Sequence, residues 1–125
     1  MNIDFGKKKI GKNFSSLIVA EMSGNHGGSL KRAIKIIKAA KKSGADAIKL
    51  QTYTSDTITL NSNKKDFKIS KKSPWYKKKN LWNLYNYAHT PWKWHKRLFS
   101  EAKKIGIEIF SSPFDETAVD FLEKL

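Results

Sequence analysis

Two hydrophobic periods alternate along this chain, and their order predicts its architecture. The run Leu17-Ile18-Val19-Ala20 inside Ser16 to Glu21 is nearly continuous, as in a parallel strand covered on both faces. Leu30, Ala33, Ile34, Ile37 and Ala40 then recur at spacings of three and four, with lysines on the other side, which predicts an amphipathic helix. Ser29 is its N-cap and Gly44 its C′ residue. Ala45 to Thr52 reads as the second strand. Its period of two places Ala47, Lys49 and Gln51 on one face and Ile48, Leu50 and Thr52 on the other.

From Tyr53 to Lys79 no helical period survives, and a loop this long is usually functional or disordered. Helical character returns over Leu81 to Ala88. Thr90-Pro91 then predicts an N-cap and a proline at the first helical position, opening a helix that runs to Gly106 with Trp94, Leu98, Ala102 and Ile105 in register. Ile107 to Ser112 is the third strand, and Asp115 caps a last helix carrying Ala118, Val119, Leu122 and Leu125 to the chain end. Residues 1–16, with Gly6 and Gly11 among isolated apolar positions, read as a hairpin or cap. The alternation predicts an α/β fold with a parallel sheet, either barrel or doubly wound. Three strands leave two sheet edges and uncovered apolar faces, so the pattern predicts a truncated piece of a larger domain.

Composition narrows the chemistry. The chain has 125 residues and no cysteine, which excludes disulfides, thiolate metal sites and a cysteine nucleophile. No window approaches the roughly 18 apolar residues of a membrane span, and the chain reads as cytoplasmic. A formal charge of +14 raises a basic nucleic-acid-binding module as an alternative, with aromatics between Trp75 and Phe99 to stack bases. Against it, all but two of the 25 basic residues are Lys, and bidentate base reading favours Arg. The lysines read instead as a solvated face, and the aromatics as helix packing and loop anchors.

Candidate chemistry gathers where strands end. Glu21 closes an apolar strand, where a carboxylate needs a partner or a cavity. Lys49 lies inside an apolar run, so it pairs with Glu21, loses its proton or binds an anion. Gln51 shares its face and suits either sugar hydroxyls or a satisfied core amide. Asn25 and His26 sit in a glycine-rich loop whose backbone NH groups a ligand can approach. Ser111-Ser112-Pro113 makes a turn with hydroxyls and NH groups suited to phosphate. His26, His89 and His95 lack ligand spacing, so no metal site is assembled from this chain.

The segments Ile18 to His26, Gly44 to Thr54 and Phe110 to Asp115 together resemble the N-terminal part of the sialic acid synthase family. Tyr53-Thr54-Ser55-Asp56-Thr57, His89 to His95 and Thr117 to Leu122 are most similar to its pseudaminic acid synthase branch. The resemblance covers Leu17 to Leu125. It implies that residues 17–125 are the first three βα units of a (β/α)8 TIM barrel, with the remaining units and a small C-terminal antifreeze-like domain absent, and that the chain alone is inactive.

By the same resemblance, the complete protein condenses phosphoenolpyruvate with the open-chain form of a 2,4-diacetamido-2,4,6-trideoxyhexose, forming pseudaminic acid and phosphate. The N-acetylneuraminate and legionaminate branches are the alternatives. Glu21 matches the active-site glutamate, Lys49 a contact to the phosphoenolpyruvate phosphate, Gln51 a sugar-side contact and Ser112 a phosphate-binding hydroxyl; Asn25 and His26 are further substrate-side candidates. A divalent metal, manganese or magnesium, is held in the family by two histidines later in the barrel. A homodimer is implied for the complete protein, with no membrane and no nucleic acid. One departure is Ser111-Ser112-Pro113 in place of Ser-Thr-Pro, which keeps the hydroxyl.

Overall fold

The computed structural model describes residues 2–125. A hairpin of β1 (Ile3–Phe5) and β2 (Lys8–Ile10) precedes β3 (Val19–Glu21), α1 (Leu30–Lys42), β4 (Ala47–Thr52) and the short α2 (Ser55–Ile58). Then come α3 (Leu81–Ala88), α4 (Trp92–Ile105), β5 (Glu108–Pro113) and α5 (Glu116–Leu122). β3, β4 and β5 form a parallel sheet in sequential order, with Glu21 beside Lys49 and Gln51 beside Ser112. No helix is long and apolar enough to cross a membrane among the described residues.

The core lies on one face of this sheet. Ile48 and Leu50 of β4 pack against Ala33, Ile37 and Ala40 of α1 and Leu98 and Ala102 of α4. α5 joins the same side, its Phe121 stacked on Trp92 at 4.8 Å and edge-on to His95 at 5.2 Å. Helices on one side of sequentially ordered strands follow from right-handed crossovers that never reverse direction. A doubly wound sheet needs such a reversal, and none occurs among these three strands.

Among the described residues the opposite face carries no helix, and it is divided along the strands. At their amino ends the hairpin covers it, with Phe5 edge-on to Phe110 at 5.7 Å. Gly6, at φ +57, lies so close to the Glu108 side chain that a Cβ there would overlap it. Asp46 ties hairpin to sheet, accepting from the Ile18 N–H at 2.9 Å and pairing with Lys8 Nζ at 2.8 Å. The Ile18 bond first, then Lys8, holds the Asp46 carboxyl below its ordinary pKa. At the carboxyl ends the same face is open.

Several local expectations change. The first strand begins at Val19 rather than Ser16 and is not covered on both faces: Ile18 is 56% and Val19 38% exposed. β3 has a neighbour on one side only, so the run packs through Ala20 alone. Pro91, not Thr90, occupies the N-cap position of α4, because the buried Thr90 hydroxyl bonds His26 Nε2 instead. The segment between β4 and α3 contains α2 and two single 3-10 turns, Lys65–Phe67 and Tyr76–Lys78. α5 ends at Leu122, and Leu125 is exposed.

Candidate functional site at the carboxyl ends of the strands

Glu21, Lys49, Gln51 and Ser112 share the open face because Glu21 lies beside Lys49 and Gln51 beside Ser112 in register, and Lys49 and Gln51 are one pleat period apart. Lys49 Nζ lies 2.8 Å from Glu21 Oε2, with the two side chains 33% and 38% exposed. Lys49 is therefore paired but not buried, since the strand end opens to solvent. An ion pair this exposed contributes only about 0–1 kcal/mol, so stability does not account for it.

Ser23 connects the charged pair to the amide. Its N–H donates to Glu21 Oε1 at 3.2 Å and its hydroxyl to Gln51 Oε1 at 3.3 Å. Ser23 sits at φ +47, an unfavourable conformation for a residue with a Cβ, and the two bonds hold it there. Both Glu21 oxygens are thus engaged, which fixes the carboxylate's direction. Lys49 keeps two ammonium hydrogens beyond its pair with Glu21. The half-buried Ser112 hydroxyl has no hydrogen-bond partner among the described residues. Ser111, one residue earlier, points to the helix side and bonds Thr52 Oγ1 at 2.6 Å.

Asn25 and His26 do not join this cluster. Asn25 Nδ2 donates to the Met22 carbonyl at 2.9 Å and closes the turn after β3. His26 is fully buried, edge-on to Trp94 at 5.4 Å. Its Nδ1 accepts from the Gly28 N–H at 3.1 Å, which leaves Nε2 to donate to Thr90 Oγ1 at 3.3 Å. Burial first, and the neighbouring His89 second, push its pKa below 6.5. The ring holds the loop to the start of α4. Among the described residues no group of three or more His, Cys, Asp or Glu is placed to hold a metal ion, and the His26 nitrogens are already committed. The chain's own donors do not fit a divalent metal centre.

Beyond Gln51 and Ser23 a cavity of about 560 Å³ opens, walled by Tyr53, Tyr85 and Phe114 with Trp75 at its mouth. Tyr53 is 4% exposed and meets Tyr85 and Phe114 edge-on at 6.0 and 5.4 Å. Burial, then Tyr85, raise its phenol pKa, so it is neutral. Of these aromatics, the sequence reading took Trp75 and Tyr85 as packing and loop anchors, and it gave Tyr53 and Phe114 no separate role. They lie far apart in the sequence, and their meeting point depends on how the long segment after β4 folds back.

Parallel strands with helices on one face and a polar cluster at their carboxyl ends define a β/α protein with a strand-end site. The model of the NeuB family matches residues 36–125, and the chain belongs to that family. It is 56% identical over 107 residues to a pseudaminic acid synthase of Campylobacter jejuni subsp. jejuni serotype O:2, covering 86% of this chain and 31% of that protein. Identity to a Helicobacter pylori pseudaminic acid synthase is 47% over 108 residues, with the same coverages of 86% and 31%. Among solved structures, an N-acetylneuraminic acid (sialic acid) synthetase from Leptospira borgpetersenii serovar Hardjo-bovis in complex with citrate superposes with a TM-score of 0.79 at 31% identity, covering 99% of this chain and 38% of that one. The chain thus spans about a third of the length of these relatives.

Proposed function

We propose that this chain forms one rim of the active site of a cytoplasmic nonulosonic acid synthase, built on a (β/α)8 barrel, that condenses phosphoenolpyruvate with an acetamido sugar. The observation that carries the reading is the open cluster of Glu21, Lys49, Gln51 and Ser112, on the face that a closed barrel would turn inward. Similarity to pseudaminic acid synthases favours the 2,4-diacetamido-2,4,6-trideoxyhexose as the sugar.

Carbon 3 of phosphoenolpyruvate attacks the aldehyde carbon of the open-chain sugar, forming the new carbon–carbon bond while carbon 2 becomes cationic; the carbonyl π pair moves to the aldehyde oxygen, which takes a proton to become a hydroxyl. Water adds to carbon 2 and loses a proton, and the resulting tetrahedral intermediate expels phosphate to leave a ketone. In this scheme Lys49 and the free Ser112 hydroxyl hold the phosphate oxygens, and their donors strengthen their hold as charge gathers on the departing group. Glu21, fixed by Ser23 and Lys49, offsets the cation or orients the water. Gln51 bonds a sugar hydroxyl. A divalent metal, expected from the family, would polarise the aldehyde, and its ligands would come from outside the described residues.

Substitution Lys49→Ala in the full-length protein tests the assignment. Losing one charge-assisted phosphate contact is worth about 1.5–3 kcal/mol, or roughly 10- to 100-fold in the phosphoenolpyruvate KM. Unchanged phosphate-release kinetics would refute the role of Lys49. Product mass, measured with each candidate acetamido sugar, separates pseudaminate from legionaminate and N-acetylneuraminate synthesis. Absence of any condensation product from the full-length protein refutes the reaction.

A further inference from the structure

The charged cluster accounts for phosphate chemistry but leaves the adjoining cavity without a task. That cavity differs from the cluster in kind. Tyr53, Tyr85 and Phe114 give it aromatic walls, and Trp75 and Phe114 at its mouth are 52% and 40% exposed. Large exposed aromatics bordering a concave site are a poor way to stabilise a fold and a common way to meet a ligand. Its polar groups are few and mostly uncharged: the Gln51 amide on the cluster side, Asn25 and Ser23 in the loop, and Arg32 of α1.

Arg32 makes no ion pair among the described residues. Its guanidinium is seated against Gly27, where an added Cβ would lie 2.6 Å from Nη1. Gly27 also adopts φ +54, so the loop is shaped to let this cation approach. Gly24 has the matching property on the other side, its would-be Cβ 3.0 Å from the Ala88 carbonyl oxygen, which brings the loop down on α3. The Tyr53 phenol, buried and neutral, has no hydrogen-bond partner among the described residues and lines the same space.

We propose that this cavity is the subsite for one acetamido substituent of the sugar and decides which N-acetylated sugars are accepted. An acetamido group has a methyl that seeks aromatic walls, a carbonyl oxygen that seeks a donor such as Arg32 or Tyr53, and an N–H that seeks an acceptor such as the Gln51 or Asn25 carbonyl. A phosphate satisfies only the second requirement and would desolvate against three rings. The two halves of the site thus sort the two substrates, phosphoenolpyruvate to Lys49 and Ser112, the acetamido end to the aromatic side. The inference rests on the proposed condensation for the identity of its sugar.

The test uses the full-length protein with 2,4-diacetamido-2,4,6-trideoxyhexose and its two analogues in which either acetamido group is replaced by hydroxyl. Arg32→Gln and Trp75→Ala alter exposed side chains, so the fold survives; circular dichroism and an unchanged phosphoenolpyruvate KM check this. In the parent protein, losing the relevant acetamido group raises the sugar KM about tenfold, the worth of a small apolar group in a pocket. In each variant that discrimination falls toward unity, because the diacetamido sugar weakens while the deficient analogue does not. Discrimination unchanged by both variants overturns the subsite, and so does an equal loss for all three sugars. Equilibrium binding of the same sugars, read by intrinsic fluorescence, separates the two proposals. Selective binding without condensation product sinks the reaction and keeps the subsite, whereas normal condensation with undiminished discrimination does the reverse.

Discussion

Replacing Thr52 by Val should destabilise the protein far more than a change of one hydroxyl for one methyl suggests. Thr52 is fully buried, and its Oγ1 stands 2.8 Å from His95 Nε2 and 2.6 Å from Ser111 Oγ. His95 is also fully buried, and its Nδ1 has no hydrogen-bond partner among the described residues. Among the described residues Thr52 is therefore the one hydrogen-bond partner of that ring. Valine keeps the shape, so little packing is lost. Orphaning the buried His95 nitrogen costs about 1–3 kcal/mol, and the Ser111 bond adds about 1 because that hydroxyl is half-exposed and finds water. The expected total is about 2–4 kcal/mol, read as a shift of the urea midpoint at constant slope. Thr52→Val combined with His95→Phe should recover part of the loss, since removing both polar partners leaves nothing unpaired. A Thr52→Val protein within about 0.5 kcal/mol of the parent refutes the reasoning, because that is the range of a surface change.

Acid should weaken the protein in two separate windows. Burial lowers the pKa of His26 and His95 from 6.5, so below that value the unfolded chain binds more protons than the folded one, and stability present above pH 6.5 falls as the pH drops below it. Thermal denaturation from pH 7.5 to 5 should show this decline, and His26→Gln should flatten it; an unaltered slope would show that His26 does not contribute. The lowered Asp46 pKa acts later, its contribution present above 3.8 and lost as the pH falls through the folded value. Phe5→Ala removes the edge-on contact with Phe110 and should cost about 1–2 kcal/mol, with faster amide exchange in β1 and β2 while β4 stays protected.

Much of the fold was legible because its signals are local. Ser29 and Asp115 were readable as caps since an N-cap side chain bonds a backbone N–H three residues on, and both do so here, to Arg32 and Ala118. Gly106 closes α4 at φ +71 for the equally local reason that the αL position favours glycine. The face shared by Ala47, Lys49 and Gln51 followed from the pleat of one strand. Thr90 misled because its pairing with His26 spans 64 residues, and no local pattern records which of two demands on a hydroxyl prevails. Ser23 and Arg32 were passed over for the same reason, as their roles depend on Gln51 and Gly27 lying opposite.

The sequence by itself determined the order of strands and helices, the polar face of β4 and the family motifs that single out Glu21, Lys49, Gln51 and Ser112. Periodicity, capping and short motifs act over a few residues, so they survive in one dimension. Tertiary structure alone decided that the hairpin covers one end of the sheet face opposite the helices while the other end stays open. It also paired Glu21 with Lys49 without burying either, turned His26 and His95 into buried posts, and drew Tyr53, Tyr85 and Phe114 around one cavity. Each of these rests on contacts between segments tens of residues apart, whose geometry is set by the packing of the whole.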